Sequence, residues 1–272
     1  MKRKLLYTAG AVVLLLALVY LSLFLYGQKE YEVEYGISFD PSHARYLNLE
    51  WKQVYKRMLD DLNPKYVRIP AMWDEIESTK GKYDFSKVDW MMNQAKKNDT
   101  KVLLVVGQKA PRWPECHVPE WLGDYSSKKA KQHLFSYIRK TVKRYRDHQA
   151  LEMWQVENEP FIHFKFGECD GYREELVDEE VELVESLDPG RKILITDSGE
   201  MGLWYKASKL SDVFGTTLYR AVRSPSGFVF TYDWLPAGLY KLKARVMGNS
   251  YNEFFVSELQ GEPWFTDSNP LD

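Results

Sequence analysis

Residues Met153 to Pro160 read MWQVENEP: apolar residues give way abruptly to polar ones, and a proline closes the stretch. Pro160 has no N–H to donate to a ladder, so the strand suggested by the apolar residues ends there. Glu157, Asn158 and Glu159 then stand at its C-terminal end. By simple alternation the two glutamates share a face, so periodicity does not choose between them.

The same pattern, an apolar run ending in a polar or aromatic cluster, recurs along the chain. It predicts strands at 35–39, 66–70, 102–107, 153–156, 193–196, 213–218 and 254–257, rich in Val, Ile, Leu and Phe like parallel strands buried on both faces. Amphipathic stretches predict helices between them, at 51–62, 86–97, 130–147, 171–187, 204–210 and 239–246. The acidic run EELVDEEVELVE from Glu174 to Glu185 reads as the solvated face of one of these helices. This rhythm points to a (β/α)8 TIM barrel, with units of about 31 residues. A doubly wound sheet is the alternative, but its dinucleotide fingerprint is missing. FTDSNPLD, from Phe265 to Asp272, is too short and polar for an eighth β/α unit, so the barrel over 35–272 is expected to be C-terminally incomplete.

Lys2, Arg3 and Lys4 precede an uncharged run from Leu5 to Tyr26, roughly 33 Å as a helix. The run is longer than a cleavable leader's apolar core and lacks a small-residue cleavage site. The expected organisation is a cytoplasmic basic tip over 1–4, a transmembrane signal-anchor helix over 5–26 and a linker over 27–34. The barrel then lies on the extracytoplasmic side. The net charge of −2, without a basic stripe, gives no reason to expect a nucleic-acid partner. Neither a metal nor any other cofactor is implied: the metalloprotease, Walker and CxxC patterns are all missing. The oligomeric state is not legible.

On a barrel of this kind the site lies at the C-terminal ends of the strands. The residues there include Asp40, His43, Arg68, Trp73, Gln108, Trp113, Asn158, Glu159, Asp197, Glu200, Tyr219, Arg220, Glu258 and Gln260. Carboxylates, amides and aromatics suit glycosidic-bond hydrolysis, which needs an acid, a second carboxylate and flat faces for sugar rings.

NEP at the end of an apolar strand, together with SELQGEPW from Ser257 to Trp264, resembles the clan A retaining glycoside hydrolases, a superfamily that includes the cellulase-like glycoside hydrolase family 5. The resemblance covers about residues 35–264. It implies that Glu159 is the general acid/base and Glu258, 99 residues later, the nucleophile, a spacing close to three β/α units. It also implies that Arg68 in VRIP and Tyr219 in TTLYR support the nucleophile, and that Asn158 bonds the sugar 2-hydroxyl. The implied partner is a carbohydrate, cleaved by retaining double displacement. A transglycosylase would use the same glutamates; an inactive glycan-binding protein on the same barrel, or a nonfunctional fragment, is a rival reading.

Around this pair, Glu157 reads as a member of a hydrogen-bond or charge network, and Glu262 as a loop residue. Trp113 and Trp264 are candidate sugar platforms, while Trp73, Trp154 and Trp204 suit core or subsite equally. His117, in the loop QKAPRWPECHVPEW after the third strand, is a candidate substrate contact or a loop-ordering residue. Cys116 in this loop and Cys169 in the next are expected to form a disulfide bracing the site.

Overall fold

The computed structural model describes residues 2–28, 34–112, 114–123, 127–162, 167–169, 172–199, 202–218, 221–223, 228–231, 235–247 and 253–259; for residues 2, 218, 221–223, 230–231, 237 and 253–259 it describes the backbone alone. Helix α1 (Lys2–Gly27) comes first, followed by β1 (Gly36–Ser38), α2 (Pro41–Tyr46), α3 (Trp51–Leu62), β2 (Tyr66–Pro70), α4 (Trp73–Ile76), α5 (Ser86–Lys97) and β3 (Lys101–Val106). Then follow α6 (Lys128–Tyr145), β4 (Leu151–Val156), α7 (Val177–Leu187), β5 (Ile193–Asp197), α8 (Tyr205–Lys209) and β6 (Val213–Leu218). A two-stranded ribbon, β7 (Ala221–Arg223) with β8 (Val229–Thr231), leads to α9 (Ala237–Met247) and β9 (Glu253–Leu259).

Seven strands form one sheet in the order β1-β2-β3-β4-β5-β6-β9, and every pairing in it is parallel. Neighbours in space follow chain order, with helical crossovers between them, which is the winding of a TIM barrel. The helices α3 and α5 and the strands β2 and β6 fall on their sequence-expected bounds. Helix α6 starts two residues earlier than its periodicity suggests, because Ser127 caps it and accepts from the Ala130 N–H at 3.1 Å. Helix α7 proper starts at Val177, after a 3-10 turn over Glu174–Leu176, later than the expected Gly171.

Alternation along the strands separates two layers. Val102, Leu104 and Val106 of β3, with Trp154 and Val156 of β4, pack with the helices in the main core. Leu103, Leu194 and Val213 form a second cluster with Tyr66 and Met153, the apolar lower filling of the barrel. Trp73, Trp154 and Trp204 are all buried, and their indole N–H groups donate to Glu77, Asp188 and the Gly199 carbonyl. These three tryptophans are core, and the subsite reading for them falls.

Helix α1 is long and apolar enough to cross a membrane, and its side chains are largely exposed. Its last turn meets α9. The position of a Cβ on Gly238 lies 1.9 Å from the Leu23 carbonyl oxygen, and the Lys241 ammonium donates to the Gly27 carbonyl at 2.9 Å.

Candidate active site

Stepping two residues along each strand from the apolar lower filling brings up polar side chains. Tyr66 gives way to Arg68, Met153 to Gln155, Leu194 to Thr196, and Val213, two steps on, to Thr217. All four polar residues are buried and joined. The Arg68 guanidinium donates to the Ser38 hydroxyl at 2.8 Å and to the Gln155 amide oxygen at 3.4 Å. The Gln155 amide nitrogen donates to the Glu157 carbonyl at 2.8 Å and to the Thr196 hydroxyl at 3.4 Å. Thr196 in turn accepts from the Glu159 backbone N–H at 3.0 Å. This polar layer is the floor of the site, and mutual hydrogen bonding is what lets it be buried.

Above the floor the end of β4 breaks from strand geometry. Glu157 has φ 60° and Glu159 φ 44°, both left-handed, so the alternation that would put them on one face does not hold. Glu157 turns back toward β3, where its carboxylate accepts from the backbone N–H groups of Gln108 at 2.8 Å and Lys109 at 2.6 Å. Gly107, with φ 124°, makes room: a Cβ there would lie 2.4 Å from the Glu157 carboxyl. Burial raises the Glu157 pKa against the pull of the Glu180 and backbone hydrogen bonds and of the Lys109 charge.

Glu159 takes the other direction. Its carboxylate accepts from the Thr217 hydroxyl of β6 at 3.0 Å, and its carbonyl accepts from the buried Lys109 ammonium at 3.0 Å. Thr217 is the register partner of Glu258 on β9, just after an irregularity in the ladder between Thr216 and Thr217. The backbone of Glu258 therefore stands one strand spacing, about 4.8 Å, from the residue that touches Glu159.

Between the two, Asn158 is buried and donates to the Glu115 carboxylate at 3.2 Å. Glu115 belongs to the loop after β3, and the neighbouring Cys116 is disulfide-bonded to Cys169, with Cα atoms 5.2 Å apart. In the same loop His117 is 3% exposed. Its Nδ1 lies 3.4 Å from the Asp74 carboxylate, and its Nε2 makes no hydrogen bond among the described residues. Burial works against the imidazolium, yet the Asp74 hydrogen bond and the charges of Asp74, Asp40 and Glu75 leave its pKa raised. Asp40 Oδ2, at the end of β1, likewise has no hydrogen-bond donor among the described residues, while Oδ1 caps α2.

The sequence signature of glycosyl hydrolase family 10 matches residues 43–181, just over half of the chain. The chain belongs to glycosyl hydrolase family 10. A curated relative, the β-galactosidase LacZ of Heyndrickxia coagulans, is 26% identical over 161 residues, 53% of this chain and 24% of the relative. Among solved structures, the β-galactosidase of Rahnella sp. R3 aligns with a TM-score of 0.54 at 14% identity, over 72% of this chain and 40% of its own. A glycoside hydrolase of subfamily GH5_18 from Streptomyces cattleya, in complex with GlcNAc, gives 0.54 at 14% identity, over 70% and 52%. These likenesses show the fold. The chain spans about a quarter of the curated relative it matches, and roughly two fifths to half of these structures.

In this family 10 chain, then, the sequence-predicted residues Arg68, Asn158 and Glu159 come together on the floor and its rim. His117 and the cysteines line the neighbouring loops. Of Glu258 only the backbone is described; Trp113, Tyr219 and Trp264 lie outside the described residues. Sequence reasoning passed over Gln155, Thr196 and Thr217, whose signal was a polar side chain interrupting an apolar strand two positions before or after an inward one. It also passed over Lys109 and Glu115. Glu180, expected on the solvated face of α7, is 1% exposed instead. Among the described residues no cluster of His, Cys, Asp and Glu is arranged to hold a metal ion.

Proposed function

We propose that the chain is a membrane-anchored glycoside hydrolase that cleaves β-linked saccharides by retaining double displacement. Glu159 is the general acid/base and Glu258 the nucleophile. The reading is carried by one observation: Glu159 accepts a hydrogen bond from Thr217, and Thr217 is the ladder partner of Glu258. Two carboxyls of a retaining enzyme need a separation of about 5 to 5.5 Å, the scale of neighbouring strands.

Glu159 begins protonated and gives its proton to the leaving oxygen while Glu258 attacks the anomeric carbon. Water then attacks the glycosyl-enzyme, and Glu159 takes the proton back. Arg68 and Tyr219 hold Glu258 ionised, Asn158 bonds the 2-hydroxyl, and His117 offers a sugar hydroxyl its Nε2, which has no partner among the described residues. Trp113 and Trp264 supply aromatic faces. The β-galactosidases among the relatives make aryl β-galactosides the first substrates to try, with β-glucosides and β-xylosides beside them.

Glu159→Gln and Glu258→Gln test the assignment. Each is expected to cut turnover by at least about 100-fold. Azide is expected to restore a glycosyl azide of retained configuration from Glu159→Ala and of inverted configuration from a Glu258→Ala chain. Undiminished hydrolysis in both Gln variants rejects the pair.

A further inference from the structure

A group of charges lies beneath the acid/base turn and takes no part in the proposed bond cleavage. Glu157, at the end of β4, is fully buried, and Glu180, on α7, is 1% exposed. Neither Glu180 carboxyl oxygen meets an N–H or hydroxyl donor among the described residues. What it faces is the Glu157 carboxyl. Lys109, from the loop after β3, reaches in with its ammonium on the Glu159 carbonyl and over the Tyr172 ring, 5.4 Å from its centre. Among the described residues the buried Tyr172 hydroxyl has no partner, and Tyr137 of α6 spends its own on the Ala71 carbonyl. Glu179, the neighbour on α7, adds a further negative charge outside the group.

With both carboxyls ionised, the buried group would carry two negative charges against one ammonium. It would also set two acceptor-only groups face to face. One retained proton removes both faults: the charges of Glu157 and Lys109 balance, and the neutral carboxyl becomes a donor. The backbone N–H groups of Gln108 and Lys109 already stabilise negative charge on Glu157, so the proton belongs on Glu180. Its pKa is pushed well up, first by burial and then by the Glu157 charge.

We propose that Glu180 is a positioning residue whose neutral carboxyl donates to the Glu157 carboxylate and thereby fixes the left-handed turn that aims Glu159. Glu157 is then held from both sides, by β3 and by α7, and Asn158 and Glu159 inherit that fixed geometry through the backbone. The inference rests on Glu159 being the acid/base.

The test compares the wild-type chain with Glu180→Gln, Glu180→Leu and Glu157→Gln, reading Tm from pH 5 to 9 and turnover of an aryl β-glycoside. Because the folded-state pKa of Glu180 is raised, the stability it contributes is complete below the ordinary carboxylate range and lost as pH rises through the raised value. Wild-type Tm is therefore expected to fall toward alkaline pH more than Tm of Glu180→Gln, whose amide donates at every pH. Glu180→Gln is expected to keep wild-type kcat near neutrality, whereas Glu180→Leu loses about 10- to 100-fold in kcat with little change in KM. Should the leucine chain fail to fold, Glu157→Gln, which removes the like-charge contact but leaves Glu180 buried, is expected to flatten the Tm profile in part, less than Glu180→Gln does. Identical Tm profiles for wild type and both glutamine variants, or equal kcat in the glutamine and leucine variants, overturn the proposal. A wild-type chain that turns over no glycoside defeats the acid/base reading instead, and the Tm comparison then decides the carboxyl pair by itself.

Discussion

A Cβ added to Gly107 would collide with the carboxyl of Glu157 and would sit on a backbone at φ 124° that L-residues avoid. Gly107→Ala must therefore displace the carboxylate or the strand end, at a cost of about 1–3 kcal/mol. Urea denaturation measures it directly. A loss under about 0.3 kcal/mol would mean that the close approach is not needed. At His117 the balance is electrostatic. Its raised pKa means that the stability it contributes is complete below the ordinary histidine value near 6.5 and is lost as pH rises through the raised one. The main group favouring the imidazolium is Asp74, so Asp74→Asn is expected to remove this share of the alkaline fall in Tm and leave the Glu180 share in place. An Asp74→Asn chain whose Tm tracks wild type from pH 5.5 to 8.5 would show that the pairing stores no stability.

At the scale of elements, the loops after β3 and β4 act as one piece. The Cys116–Cys169 bond closes 53 residues of sequence separation, the Glu168 N–H donates to the Pro114 carbonyl at 2.9 Å, and Glu115 reaches from this brace to Asn158. Replacing both cysteines by serine is expected to cost about 2–4 kcal/mol, since the unfolded chain regains the freedom of that loop. It is also expected to weaken substrate binding through Asn158. Tm and KM of the double variant, set against wild type, check both effects; an unchanged Tm would mean that the brace is redundant with the β3–β4 ladder. The strands and long helices were legible in the sequence because burial on both faces leaves a continuous apolar run, and burial on one face leaves a 3.6-residue stripe. Short α2 and α4 carry no such stripe. Asp40 and Pro41 start α2 by capping and fixed φ, signals only a few residues long.

For the molecule as a whole, the barrel and the level of its mouth could be read from where apolar runs stop, as at Pro70, Gly107 and Pro160. The division of labour between Glu157 and Glu159 could not, because it depends on two left-handed residues and on Gly107 arriving from another strand. The acidic run of α7 misled for a different reason: Glu180 stands at helical spacing from Val177 and Val184 on the buried side, and its charged residue type, not its position, suggested solvent. The N-terminal helix raises the remaining question of scale, since a helix of this length and apolarity serves either as an anchor or as a removable leader. Here α1 is not a detached rod. Gly238 admits the Leu23 carbonyl, Lys241 bonds Gly27, and the Arg245 guanidinium lies over the Tyr26 ring at 5.8 Å, so the end of α1 is seated on α9. An element retained in the mature protein has use for such a seat, and a cleaved one does not. The chain expressed in its membrane is therefore expected to remain in the pellet after alkaline carbonate washing, with an intact mass that includes residues 1–27. Deleting those residues is expected to move the barrel to the supernatant. A mature chain whose mass begins near Gln28 would make α1 a leader and end the anchor reading.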